Sequence, residues 1–375
     1  MKSKSAFQRK GRYFGWQVYT IVSSADSSLG KSPGPEDKEN YKTLPSVALD
    51  FSDVYLDGKL GLVLNLSENN SVLTSGFLNP TYDTTPTAYN PAPMVITSLI
   101  FGINPKMVKR RGGGLNLEYN LSPDLTLALR GQIGWEDWRQ PQRAVSLNAT
   151  RASQAPNATV TSMIANPTTN NATRFGIQGS HSNRTRLTYT FAPQVTYRKG
   201  PLNVEGSIAH TYLNSYTRNG RLDGDAPFFQ SNYQLSGVGF TATRAFPGDT
   251  NFNFRQTSGP DLYTLSNWRG TSLANNLVRT QSEPTSKALI GQINAKLTTD
   301  WALPTTLKAG GKSQAGSFSN IGRSNSWTYV GPQNNRFTAE VPVSVAFQGV
   351  APLDVGNIFD RFFQFPDRTA LGRLQ

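Results

Sequence analysis

The chain of 375 residues contains no cysteine, which excludes a disulfide framework, a thiolate metal site and a cysteine nucleophile. Histidine occurs only at His181 and His210, too few for a His-rich metal centre. Charged residues make up 16% and the apolar set 37%, both below the roughly 25% and 45–50% (Gly included) of ordinary soluble domains. No stretch of 18 consecutive apolar residues exists, so a transmembrane helix is excluded. The opening MKSKSAFQRKGRYFGW is basic but lacks an apolar stretch behind its charges, so a signal peptide is not expected. What the chain does have is 33 Gly, 23 Pro, 14 Tyr, 20 Phe and 6 Trp, with much of the rest Ser, Thr, Asn and Gln. That mixture excludes a helix bundle and is too aromatic for disorder throughout. It points to an all-β chain with long loops.

The formal charge is +13, a value that first suggests nucleic acid. The basic residues are scattered, however, and the densest run is Lys106 to Arg111. A polar, basic surface accounts for them, and no nucleic-acid partner is expected.

Alternation is the main signal. Leu125, Leu127, Leu129, Ile133 and Trp135 share one parity, against Thr126, Arg130, Gln132 and Glu136 on the other. A clean period of two describes a strand with unlike faces. Leu115, Leu117, Tyr119 and Leu121 repeat it upstream, across the turn Ser122-Pro123-Asp124, in which Asp is expected to bond its own backbone. Similar hairpins are expected around Leu56-Asp57-Gly58, Lys199-Gly200-Pro201 and Asp300–Pro304, with a further strand near Phe14 and others between Tyr233 and Ala242. Long polar stretches separate the hairpins: Glu68 to about Met107, Arg139 to about Arg184, Asn214 to about Pro284, and Ser313 onward.

Tight turns alternating with long loops are the layout of an outer-membrane β-barrel. Such a barrel satisfies every backbone polar group between strands, shows lipid an apolar face and keeps a polar lumen. Tyr119, Trp135, Trp138, Tyr189, Tyr197, Tyr212 and Trp301 are expected in interfacial girdles. A soluble antiparallel sandwich also alternates and is the competing architecture.

The segments GGGLNLEYNLSPDLTLALRGQIGWEDW (112–138), LPSVALDFSDVYLDGKLGLVLNLS (44–67) and QINAKLTTDWALPTTLKAGGKSQ (292–314), with SWTYVGP (326–332), resemble barrel hairpins of TonB-dependent outer-membrane receptors. The resemblance lies in the style of the hairpins and covers most of the chain. It implies a partial transmembrane antiparallel barrel over 1–375, in the outer membrane of a Gram-negative bacterium, without the family's signal peptide, coupling box, plug or final aromatic residue. Roughly 8–12 strands are expected, against the family's larger barrel. It further implies uptake of a scarce small ligand (an iron chelate, cobalamin or oligosaccharide), with membrane lipid, lipopolysaccharide and a TonB complex as partners. A passive porin-like channel and a soluble β-rich adhesion or binding module are the alternatives.

No catalytic, cofactor or metal site is expected. Gly311-Lys312-Ser313 ends like a phosphate loop but has Thr306 where the first glycine belongs. Gly237-Val238-Gly239 has no helix signal after it. Glu136 and Asp137 are adjacent and, on a strand, point to opposite faces. Asp223-Gly224-Asp225 reads as a turn. No ligand-binding residue is assigned with any sharpness; Arg130, Arg139, Arg184 and Arg186, near the loop ends of strands, are the side chains that could meet an anion.

Overall fold

Where the sequence alternates, the chain is extended. The computed structural model describes residues 5–8, 11–22, 29–33, 39–167, 173–218, 231–270, 276–300 and 303–328. It is all-β, with large antiparallel sheets and a few single turns of 3-10 helix. In chain order the strands are β1 (Tyr13–Thr20), β2 (Lys31–Pro33), β3 (Glu39–Tyr41), β4 (Pro45–Tyr55), β5 (Leu60–Asp83), β6 (Val95–Asn120), β7 (Leu125–Ala149) and β8 (Ser162–Ala165). They continue with β9 (Thr173–Lys199), β10 (Leu202–Arg218), β11 (Ser231–Ser236), β12 (Gly239–Thr243), β13 (Asn253–Ser258), β14 (Arg269–Gly270), β15 (Asn276–Asp300) and β16 (Pro304–Thr328).

The main sheet runs β1-β4-β5-β6-β7-β9-β10-β15-β16, with β11 and β14 attached beside β9. Every neighbouring pair along this path is antiparallel. No closed barrel forms among the described residues, and β1 and β16 are its edges. Nine alternating strands leave those two edges pointing the same way.

All four expected hairpins are present, as β4–β5, β6–β7, β9–β10 and β15–β16. Leu56 and Asp57 take left-handed φ values of 53° and 52°, and Gly58 completes the turn at 86°. In the β6–β7 turn the side chain that bonds the backbone is Ser122, not Asp124: its Oγ accepts from the N–H of Asp124 at 3.3 Å and of Leu125 at 3.1 Å. Trp301 and Ala302, in the fourth turn, lie outside the described residues.

Among the described residues, the expected long loops are mostly strand. β5 runs on to Asp83 and β6 begins at Val95; β7 continues to Ala149 and β9 begins at Thr173. Pro80, Pro105, Pro141 and Pro284 sit inside these extensions. Proline removes a ladder donor and reads as a strand breaker in sequence, and these stretches mix polar with apolar residues on both parities, which hid the strands. The expected strands between Tyr233 and Ala242 are β11 and β12, broken at Gly237, whose φ is +72°. Gly311-Lys312-Ser313 lies within β16. Asp223-Gly224-Asp225 lies outside the described residues.

The register scarcely shifts along the main sheet; the exception is a bulge at Thr81/Tyr82. Parity is therefore preserved from strand to strand. One row reads Trp16, Leu49, Leu66, Gly113, Ile133, Tyr189, Tyr212. The next toward the turns reads Phe14, Phe51, Leu64, Leu115, Gly131, Phe191, His210, Leu289. Another reads Tyr55, Leu60, Tyr119, Leu127, Val195, Gly206, Ile293. No packed layer covers these rows among the described residues: Trp16 is 68%, Ile133 54%, Phe191 50% and Ile293 58% exposed. The band from Leu125 to Trp135 measures about 33 Å along the strand, at roughly 3.3 Å per residue. Asp53, cross-strand from Leu62, interrupts the band and bonds Arg12 (Nε–Oδ2 2.7 Å).

Beyond the band the same parity turns polar, with Arg111 bonded to Glu68 at 2.7 Å and Arg139 to Asp137 at 3.1 Å. Farther along it turns apolar again, but here it is covered. Leu99, Phe101, Val145, Leu147, Phe175 and Ile177 are buried beneath the small sheet β13-β12-β8, together with Tyr233, Phe240, Phe252 and Trp268. Phe175 packs on Phe240 at 5.1 Å and on Phe254 at 5.5 Å. This cap, at the end opposite the tight turns, holds the buried hydrophobic core.

Arg151 anchors the cap and is 4% exposed. Its guanidinium donates to the carbonyls of Asn90 (3.0 Å), Ala92 (2.8 Å) and Asp83 (2.7 Å), and its Nε stands 3.3 Å from the Asp83 carboxylate. The Asp83 carboxyl is held below its ordinary value near 3.8, chiefly by the N–H of Thr85 at 2.8 Å, with Arg151 adding to it. A depressed carboxyl contributes stability that is present above its unfolded-state pKa and lost as pH falls through the folded value. Hydrogen exchange of amides 83–92 is therefore expected to be flat from pH 8 to 5 after correction for intrinsic rates, and to accelerate below about pH 4. Asp83→Asn should remove that acid-dependent step.

Candidate functional site

The face opposite the apolar rows carries the chemistry. Its cations include Lys106, Arg110, Arg130, Arg184, Arg186, Arg198, Lys296, Lys308 and Lys312, against Asp50, Glu118, Glu136 and Glu205. Asn and Thr fill the positions between, with Asn65 donating to Asp50 and Asn116 to Glu118 at 3.2 Å. Near the turns the first residues lie across this face: Ser5 Oγ donates to Glu118, and Ala6 is buried against Gly61.

One cluster on it is built tightly. Arg110 on β6, Glu136 on β7 and Arg186 on β9 form a single cross-strand row, continued by Ser215 on β10. Glu136 accepts from Arg110 Nε at 2.8 Å and from Arg184 Nη2 at 3.0 Å. The Arg184 guanidinium lies 3.9 Å from the ring centre of Trp138, and Lys106 Nζ lies 4.0 Å from it. Trp138 thus has a cation from each neighbouring strand against its ring, a contact that favours both cations while leaving their charge in place. One carboxylate does not balance Lys106, Arg110, Arg184 and Arg186. The Nε atoms of Arg186 and Arg184 and the indole Nε1 of Trp138 are buried without a hydrogen-bond partner among the described residues.

A concavity of about 660 Å³ lies toward the turns on the same face, between Asn203, Glu205, Gln292, Asn294, Lys296, Lys308 and Lys312. Lys296 and Lys308 stand directly across from each other, and like charges so placed repel. Its lysines are exposed and no aromatic side chain among the described residues fixes them, so it is less organised than the arginine cluster.

Of the four arginines expected to meet an anion, Arg184 and Arg186 belong to the cluster. Arg130 is on the same face, six residues along β7 from Glu136, about 20 Å away, with its Nε also buried and unpartnered. Arg139 is on the opposite face and paired with Asp137; odd and even positions of one strand cannot share a site. Trp138 departs from the expected girdle for the same reason: Tyr119, Trp135, Tyr189, Tyr197 and Tyr212 share the apolar parity, and Trp138 does not. Glu136 and Asp137 do diverge as expected. Lys106, Arg110, Glu136 and Trp138 were not recognised as site residues from sequence. Their shared even numbering with Arg184 and Arg186, once β6 and β9 are in register, is the signal that marks them.

No protein-family model matches the chain, and a search of curated proteins finds no match either.

Proposed function

We propose that this chain forms the wall of an outer-membrane β-barrel that takes up a small ligand. The observation that carries the reading is the band of uncovered Leu, Ile, Phe and Trp across the main sheet. Monomeric soluble proteins rarely expose contiguous apolar patches beyond a few hundred Å². Lipid is the solvent that suits such a face, and a bilayer-crossing strand needs roughly 9–11 residues, the length of the Leu125–Trp135 stretch. Aromatic side chains near both borders, Tyr119 and Tyr197 toward the turns and Trp135 and Tyr189 toward the cap, support the same placement.

The edges set a condition. Because β1 and β16 run the same way, antiparallel closure requires an odd number of further strands between them. An up-and-down sheet whose strands extend far past the apolar band, with an ordered cap at one end, fits a TonB-dependent receptor better than a passive channel. In that role the barrel would reside in the Gram-negative outer membrane among lipid and lipopolysaccharide, and a TonB complex would energise uptake.

Solubility decides the reading. Full-length chain should be monodisperse in size-exclusion chromatography only with detergent or lipid, and should aggregate on dilution below the detergent's critical micelle concentration. A monodisperse monomer in plain buffer would overturn it. For the coupled-uptake part, cells carrying the chain should lose ligand accumulation when the proton gradient is collapsed.

A further inference from the structure

We infer that the Arg110–Glu136–Arg186 row, with Arg184, Lys106 and Trp138, is a binding site for a soluble oxyanion bearing several carboxylate or phosphate groups. This names a ligand class for the proposed transporter's polar face. It rests on the sheet register rather than on the membrane assignment.

The cluster holds more cations than a structural purpose requires. Neutralising Glu136 takes one arginine, and two already donate to it. Arg186 lies in the same row on the other flank of Glu136, with its Nε buried and unpartnered among the described residues. A buried donor left unpaired is destabilising, and that cost is recovered when a ligand oxygen accepts from it. Arg110 is more than half exposed, so its remaining N–H groups face open space beside the row. Arg184 is held at one end by Glu136, and its guanidinium carbon lies 3.9 Å from the ring centre of Trp138. A guanidinium held at two points leaves its remaining N–H donors for a planar carboxylate or a phosphate face. Glu136 works here as an orienting group. It keeps two guanidinium groups in place and repels an anion placed directly over it, so a ligand must set its anionic groups against Arg186 and Arg110 on either side of it. Bridging favours a solute with two or more anionic groups over chloride or acetate.

The probes are citrate and inorganic pyrophosphate, titrated at fixed ionic strength into the full chain and read by calorimetry. The chain is held in whichever medium, detergent or buffer, keeps it monodisperse, so failure of the membrane reading leaves this measurement intact. Saturable binding of either probe is expected, with acetate giving none. Arg186→Gln should weaken the dissociation constant roughly tenfold, the effect of about 1.4 kcal/mol. Lys308→Gln, on the same face but in the concavity near the turns, should change it less than about twofold, since separated exposed charges are screened. If Arg186→Gln fails to keep the strand signal in circular dichroism, Arg110→Gln, at an exposed side chain, reads the same loss. The inference is overturned by absence of saturable binding, by equal binding of the Arg186 or Arg110 variant and the parent chain, or by an equal loss in Lys308→Gln.

Discussion

Phe191→Arg is expected to destabilise the lipid-embedded chain by about 2–4 kcal/mol, the cost of an arginine near the bilayer midplane on a barrel's outer face. Phe191 lies in the middle of the apolar band, cross-strand from Gly131 and His210, and is half exposed in the isolated chain. Half of its surface is open, so an arginine has room to extend away from the sheet. In water the change is an ordinary surface substitution, worth no more than about 0.5 kcal/mol. The size of the effect therefore reports which solvent meets that face. Gln194→Arg, on the polar parity of the same strand, is the control, and it should stay within about 0.5 kcal/mol. Equilibrium urea unfolding from phospholipid vesicles, followed by tryptophan fluorescence, measures both. Near-equal midpoints for the two variants would place Phe191 in water and remove the basis for the membrane assignment.

Trp268→Ala is expected to cost about 3–5 kcal/mol, the range for emptying a buried aromatic site, and to act on the cap alone. Trp268 is 1% exposed, belongs to the buried cluster of the cap and donates from its indole to the Leu262 carbonyl at 2.9 Å. The long strands keep their ladder bonds without it, so the cap should open while the main sheet persists. Limited proteolysis should then cut between residues 239 and 268 in the variant and spare the parent, with strand content by circular dichroism nearly unchanged. Collapse of the whole sheet in Trp268→Ala would show instead that cap and wall fold as one unit.

The hairpins were legible because two signals coincided in each: a period of two with unlike faces, and a turn with Gly, Pro or Asp at the right place. Leu125 to Trp135 and Leu115 to Leu121 needed nothing further. The extensions from Glu68 to Asp83 and from Val95 to Met107 were not legible, since their prolines and mixed polarity resemble loop. What makes them strands is pairing with each other over a distance in sequence, which no local pattern states. The candidate site was half legible. Arg184 and Arg186 were visible as loop-end cations, but Glu136 and Trp138 acquire meaning only when β6, β7 and β9 are aligned. Arg139 was misplaced because nearness along the chain was given more weight than parity.

The uneven ends of the molecule carry a directional consequence. The tight turns are a few residues long, whereas the opposite end bears a packed second sheet with its own aromatic core. On the proposed membrane reading, the slender end is the one that enters a bilayer most readily ahead of the staves, so spontaneous insertion from one side into preformed vesicles should leave every cap open to added protease. In a cell, where the tight turns of such a barrel face the periplasm, the same asymmetry requires the capped end to be carried across the membrane.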